Sequence, residues 1–163
     1  KGSPGPWPGM WLAVATWVRM DMAIPALVMA GYRTWRTPGQ RFRVAGDELG
    51  VLTISLGIQT LLRRLYFGEW LPNTFFLKMT GYPVLERLAR GWAVMSDFIG
   101  QAGWLIVLVP LLFAGWRAIR ERDHRLALPA GLIFGQAAYS VYVGGDAWER
   151  IGGCNRYMAI VMP

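Results

Sequence analysis

Residues 91–116 read GWAVMSDFIGQAGWLIVLVPLLFAGW, an apolar run whose Asp97 and Gln101 stay in its first half. At ~1.5 Å per residue, a helix of this length exceeds the ~30 Å of a bilayer's hydrocarbon core. The run predicts a membrane-spanning helix. Similar runs on either side predict further spans over 10–35, 47–67 and 126–143, with another beginning at 157. Composition agrees: 54% hydrophobic and 13% aromatic residues, with a mean hydropathy of +0.30, is too apolar for a water-soluble domain of 163 residues. The expected fold class is all-α, a polytopic transmembrane helical bundle.

The runs are irregular in informative ways. The first carries Arg19, Asp21 and Pro25 near its middle. Charge at that depth is expensive and usually lines a cavity or finds a partner. Two residues apart on one helix, Arg19 and Asp21 would point to different faces, so a side-by-side ion pair is not expected. One reading breaks the helix near Arg19 and starts the true span at about Met20; the other keeps one span whose charges meet neighbouring helices. From Leu49 to Leu62 the polar side chains are Thr53, Ser55, Gln59 and Thr60, and Leu65–Phe67 extend this short core. Asp47 and Glu48 before it suit a helix N-terminus. Between Tyr82 and Arg90, Val84, Leu85, Leu88 and Ala89 make one apolar stripe, which predicts an interfacial helix lying on the membrane.

The net charge of +7 and pI near 10.2 do not point to nucleic acid, because no basic stripe interleaves with a polar fold. The arginines cluster at the ends of apolar runs instead. Arg33, Arg36, Arg41 and Arg43 fall in one expected loop, and Arg117, Arg120, Arg122 and Arg125 in another, beside a solvated His124. The positive-inside rule places both loops in the cytoplasm, although Arg63, Arg64, Arg87 and Arg90 then lie opposite. Loops 66–90 and 144–156 are extracytoplasmic on this topology. The lone Cys154 forms no disulfide framework, and no Cys/His cluster suits zinc. The chain opens at Lys1 without a signal pattern and stops inside an apolar run, so it reads as a fragment lacking N-terminal spans and any C-terminal domain.

Each extracytoplasmic loop holds a polar knot. The first, Tyr66 to Lys78, joins Glu69, Asn73 and Lys78 to Trp70 and other aromatics. The second runs from Val143 to Tyr157 and holds Asp146, Trp148, Glu149, Arg150 and Arg156. Carboxylates bind sugar hydroxyls or serve as acid or base, arginine and lysine hold phosphate, and flat aromatic faces suit sugar rings. Glu149 and Arg150 equally form a local ion pair, and Gly144-Gly145 equally makes an ordinary turn. The plainer reading is a pair of aromatic-belt loops whose charges face water.

Tyr-Phe-Gly-Glu-Trp-Leu-Pro-Asn-Thr-Phe-Phe-Leu-Lys at 66–78 resembles a "YYG(D/E)xLPNTxxxK" signature of multi-spanning glycosyltransferases of the C superfamily (GT-C). Val-Arg-Met-Asp at 18–21 resembles their "TRPDG" break, with methionines at 20 and 22 in place of proline and glycine. Residues 142–163 resemble a later extracytoplasmic loop. Within the superfamily the likeness is to arabinofuranosyltransferases of actinobacterial cell-wall arabinan. It implies a polyprenyl-phosphate sugar donor, a glycan acceptor, and a site on the outer face of the plasma membrane. It also implies Lys78 and Arg156 near the donor phosphate, and Glu69, Trp70, Asp146, Trp148 and Glu149 near the sugar or acceptor, with Asn73 there too or fixing its own loop. Arg19 and Asp21 would line the cavity. The catalytic carboxylate of such enzymes sits upstream, so none is expected within these residues. No cofactor or metal spacing is evident, though Asp146 and Glu149 are able to share a divalent cation. The alternatives are a mannosyl- or glucosyltransferase, a transporter or flippase of lipid-linked sugar, and a structural membrane subunit.

Overall fold

The computed structural model describes residues 7–103, 109–110, 112–113, 115–117, 120, 126–145 and 157–158; of Trp7, Thr74, Leu77, Lys78 and Ala102 it describes the backbone alone. The chain packs as two compact units, Lys1–Asn73 and Thr74–Pro163. The fold is all-α: among the described residues there are helices and no strand.

In the first unit, α1 (Trp7–Val18) ends where Arg19 turns extended, at φ −144° and ψ 119°. A 3₁₀ turn over Met20–Met22 then leads into α2 (Ala23–Arg36). Pro25 is tolerated because it occupies the first turn of α2, where backbone N–H groups have no intrahelical partner. The break expected near Arg19 is therefore present. At the far end of α2, Thr37 donates its hydroxyl to the Arg33 carbonyl at 2.6 Å, and Pro38 opens a second 3₁₀ turn, Pro38–Gln40. Helix α3 (Arg41–Phe67) follows, and packs against both α1 and α2.

Two expectations are corrected here. The arginine-bearing loop of 33–44 shrinks to Thr37–Gln40: Arg33 and Arg36 end α2, while Arg41 and Arg43 begin α3. Asp47 and Glu48 do not mark the start of α3, which begins at Arg41 with no acid in its first turn. Gly68 closes α3 in the left-handed conformation, φ +76°, with its N–H on the Arg64 carbonyl at 3.0 Å.

In the second unit, α4 (Asn73–Met79) leads through Gly81 to α5 (Val84–Ala102). The expected division into an interfacial helix over 82–90 and a span from Gly91 is overturned, because α5 runs through Gly91 without a break. Gly91 serves packing instead: a Cβ there would strike the Val141 backbone of α6 (Ala127–Val143), which packs on α5. Gly103, at φ +84°, follows the last residue of α5. Helix α6 ends in a Schellman motif, with Gly144 and Gly145 at φ +85° and +75°, the Gly144 N–H on the Val141 carbonyl and the Gly145 N–H on the Ser140 carbonyl.

Among the described residues, no helix is long and apolar enough to cross a membrane. The reasons lie in length and charge. Helices α1 and α2 have 12 and 14 residues, about 18 and 21 Å at ~1.5 Å per residue. Helix α3 is longer, but Arg41, Arg43, Asp47 and Glu48 at one end and Arg63 and Arg64 at the other shorten its apolar part. Glu86, Arg87, Arg90 and Asp97 interrupt α5. Gly91→Ala is expected to destabilise the protein by about 1–3 kcal/mol through overpacking. Gly57→Ala on α3, where a Cβ meets nothing within 4 Å, should be stabilising by up to about 1 kcal/mol. Thermal unfolding followed by circular dichroism compares the two.

Candidate functional site

The interior of the first unit sets polar groups among small and aliphatic ones such as Ala13, Ala30, Val44 and Leu52. Gln59 of α3 donates its amide to Thr16 Oγ1 of α1 at 2.6 Å, and Thr16 donates to the Ala13 carbonyl at 2.6 Å. Ser55 donates to that same carbonyl at 3.0 Å and accepts the Trp17 indole N–H at 3.0 Å. These groups lie one turn apart on facing helices, so each finds its partner across the α1–α3 interface. A second buried tie joins α2 to α3, where Arg33 donates to Glu48 in an ion pair almost wholly out of solvent. The Glu48 carboxylate fits there because residue 9 is glycine: a Cβ on Gly9 would overlap it.

The helix break carries the next charged cluster. Arg19 and Asp21 do form a side-by-side pair, Nε to Oδ1 at 3.1 Å and Nη2 to Oδ2 at 2.6 Å. The expectation against this pairing assumes one continuous helix. With Arg19 extended, the two side chains turn to the same side, and the Asp21 carboxylate is buried in a bidentate embrace. Close by in the sequence sits Met20, whose sulfur accepts a contact from Arg63 Nη2 at 3.2 Å, while Arg63 Nη1 is buried with no partner.

The first polar knot is placed differently from a binding pocket. Glu69, Trp70 and Asn73 are all exposed, and Trp70 lies against the Arg64 guanidinium at 5.5 Å. Lys78 belongs to α4, described here in backbone alone. Asp146, Trp148, Glu149 and Arg156 lie outside the described residues. Tyr157 is buried, edge-to-face on Tyr139 at 5.4 Å. A groove of about 750 Å³ runs between α2 and α3, lined by Leu27, Ala30, Trp35, Arg41 and Leu49 among others. None of the expected site residues whose side chains are described, Arg19, Asp21, Glu69, Trp70 and Asn73, lines it.

In the second unit, Arg87 and Arg90 read from sequence as charges on the polar side of an amphipathic helix. Both turn instead to the C-terminus of α6. Arg90 Nε donates to the Gly144 carbonyl at 3.0 Å, and Arg87 Nη1 donates to the Met79 carbonyl at 3.3 Å. The Arg87 guanidinium also lies over Tyr142 at 4.8 Å, and that of Arg90 over Tyr82 at 5.1 Å. Arg87 is only 5% exposed, yet its Nε has no partner. Their i, i+3 spacing was the available signal, since it sets two cations on one helix face. Among the described residues, no group of three or more His, Cys, Asp or Glu side chains could hold a metal ion.

In both units polar side chains share the interior with apolar ones such as Val44, Leu52 and Met95, while many large apolar side chains lie exposed. Thr16 is 1% exposed and Gln136 and Ser140 are 0%, whereas Val18, Leu65 and Leu85 are 86%, 74% and 79% exposed. Water-soluble domains bury the second kind of side chain and expose the first. Comparison with protein-family models, with curated proteins and with solved structures finds no match. Glu48→Gln, which leaves Arg33 buried without its counter-charge, is expected to cost about 3–5 kcal/mol of stability; exchanging both partners for apolar side chains, Arg33→Met together with Glu48→Leu, should restore most of it. Denaturant titration of the parent chain and the two altered forms measures this.

Proposed function

We propose that this chain is part of a membrane-embedded, polytopic helical bundle that transfers a sugar, arabinofuranose by its resemblance, from a decaprenyl-phosphate carrier to a cell-wall glycan. The exposure of large apolar side chains around a partly polar interior carries the membrane part of this reading. Side chains such as Trp11, Val18, Ile54, Leu65 and Trp92 face outward, where lipid or further helices of a bundle would receive them. The hydrogen-bonding groups of Thr16, Ser55 and Gln59 face inward, as helix-to-helix ties do where no water competes. In that setting α1 and α2 cross in series through the break at Arg19, as broken helices do beside a membrane cavity.

The transferase part rests on the resemblance at 66–78, 18–21 and 142–163. In the reaction, the acceptor hydroxyl oxygen bonds to the anomeric carbon while the bond from that carbon to the carrier phosphate breaks. The phosphate leaves with the bonding pair, and a base takes the hydroxyl proton. Lys78 and Arg156 are assigned to the departing phosphate, where charge develops. Glu69 and Asp146 are assigned to sugar hydroxyls, Glu149 to the acceptor side, and Trp70 and Trp148 to the faces of the ring. Asn73, the first residue of α4, holds its own loop. The base is a carboxylate supplied from outside these residues.

Membranes carrying the intact gene product should transfer radiolabelled arabinose from decaprenyl phosphate to a synthetic arabinan acceptor. Asp146→Asn and Arg156→Ala should each abolish transfer while the protein stays in the membrane after an alkaline carbonate wash. Transfer of mannose or glucose alone would change the sugar and keep the mechanism. Absence of transfer from every polyprenyl-phosphate sugar would overturn it, and release by the carbonate wash would overturn the membrane placement.

A further inference from the structure

We propose that Arg87 and Arg90 form a binding site for the phosphate group of an anionic ligand at the C-terminal end of α6. This site rests on the geometry of the second unit and does not require sugar transfer.

Charge is the first reason. Arg87 and Arg90 are three residues apart on α5, so they share a face and repel one another. Neither is paired with a carboxylate among the described residues. Glu86 adjoins Arg87 in sequence, which sets it about 100° around the helix, and it is exposed. What the structure supplies instead is the carbonyl end of α6, worth about half an elementary charge, the Met79 carbonyl at the end of α4, and the faces of Tyr142 and Tyr82. Two full positive charges therefore face backbone carbonyls and aromatic rings, with no carboxylate among the described residues. The surplus calls for an anion.

Burial is the second reason. An exposed arginine is neutralised by solvent ions and needs no site, but Arg87 is only 5% exposed. Its Nε is buried and bonds to nothing. A bare buried donor is costly, and on a charged group more so, because water is excluded from the place where it would otherwise bind. Such a donor persists where something occupies it in the working state.

The shape of the donors selects the ligand. Both arginine side chains border Gly144, Arg87 with its aliphatic stem and Arg90 with its guanidinium: a Cβ added there would touch Arg87 Cγ at 2.8 Å and Arg90 Nη2 at 2.9 Å. Glycine is thus required twice over, by its φ of +85° and by the space the arginines use. One guanidinium fork already satisfies the two oxygens of a carboxylate. Two guanidinium groups one helical turn apart on one face of α5 suit a group with three or more oxygens, which is phosphate. The tyrosine faces beside them exclude water from the donors and strengthen each bond.

The test titrates inorganic phosphate into the full chain held in phosphatidylcholine nanodiscs, by isothermal titration calorimetry, and repeats the measurement as a thermal shift in nanodiscs doped with phosphatidic acid. Saturable binding in either arm supports the site. Response to inorganic phosphate assigns it to the phosphate group itself, and response to phosphatidic acid alone assigns it to a lipid headgroup. Arg87→Lys keeps the charge and loses the fork, and Arg90→Gln loses the charge; each should weaken binding about tenfold with an unchanged helical circular dichroism spectrum. No binding in either arm, or undiminished binding by both variants, would overturn the inference. So would binding that appears only in Asp146→Asn, because the chain's own carboxylate would then be the anion the arginines hold. Loss of sugar transfer has no bearing on these outcomes, so the two readings fail separately.

Discussion

The contact on which the first unit depends is the amide of Gln59 against the hydroxyl of Thr16. A buried amide or hydroxyl without a partner costs about 1–3 kcal/mol, so α1 and α3 have little freedom to slide once these groups have met. Ser55 one turn earlier fixes the same register through the Ala13 carbonyl. The Arg33–Glu48 pair does the same for α2 and α3 at greater electrostatic stake. Apolar packing is non-directional and would accept several registers between such short helices. Polar ties accept one. A unit whose apolar side chains mostly face outward has to obtain its specificity this way.

Helix ends do the corresponding work between elements. The left-handed Gly68 stops α3 directly before Glu69 and Trp70, and the Schellman glycines stop α6 at the start of the second knot. In both places a regular helix delivers the chain to the segment whose residues carry the chemical reading. The break at Arg19 differs in kind: Pro25 has no N–H for the Asp21 carbonyl four residues earlier, which bars a continuous helix there. The extended Arg19 is held by its bidentate contact to Asp21, so a side-chain pair joins a backbone constraint in fixing the turn.

Much of the helical framework was legible from periodicity and breakers. The all-α class, the break beside Arg19–Asp21 and the helix before Gly144 follow from apolar run length, a charge in an apolar run, and a glycine pair. The start of α3 was not legible, because Arg41 and Arg43 look like loop residues when counted as charge, although arginine is a good helix former. The continuity of α5 was hidden for the opposite reason: Gly91 reads as a breaker locally and is a packing residue in three dimensions. At the site, the conspicuous residues Glu69 and Asn73 drew the weight, and they lie exposed. Arg87 drew none, because its burial depends on α6, a helix as remote in the chain as the 54 residues that separate Arg90 from Gly144. Long-range burial leaves no local signature.

Pairing also changes what the arginines say about orientation. Counting positive charge assumes that each arginine is free to report its side of the membrane. Arg33 is neutralised in the interior by Glu48, and Arg19 by Asp21, so neither contributes a free charge to either side. Arg36, Arg41, Arg43 and Arg120 remain exposed. Arg87, which a simple count sets against the topology, is buried against helix α6 and does not face a compartment in the way a loop arginine does. Arg33 thus leaves the count on one side and Arg87 on the other, so the difference on which the proposed topology rests is unchanged. The same burial that makes Arg87 a poor orientation signal makes it a strong candidate for holding an anion, since a charge withheld from solvent can be answered only by a partner.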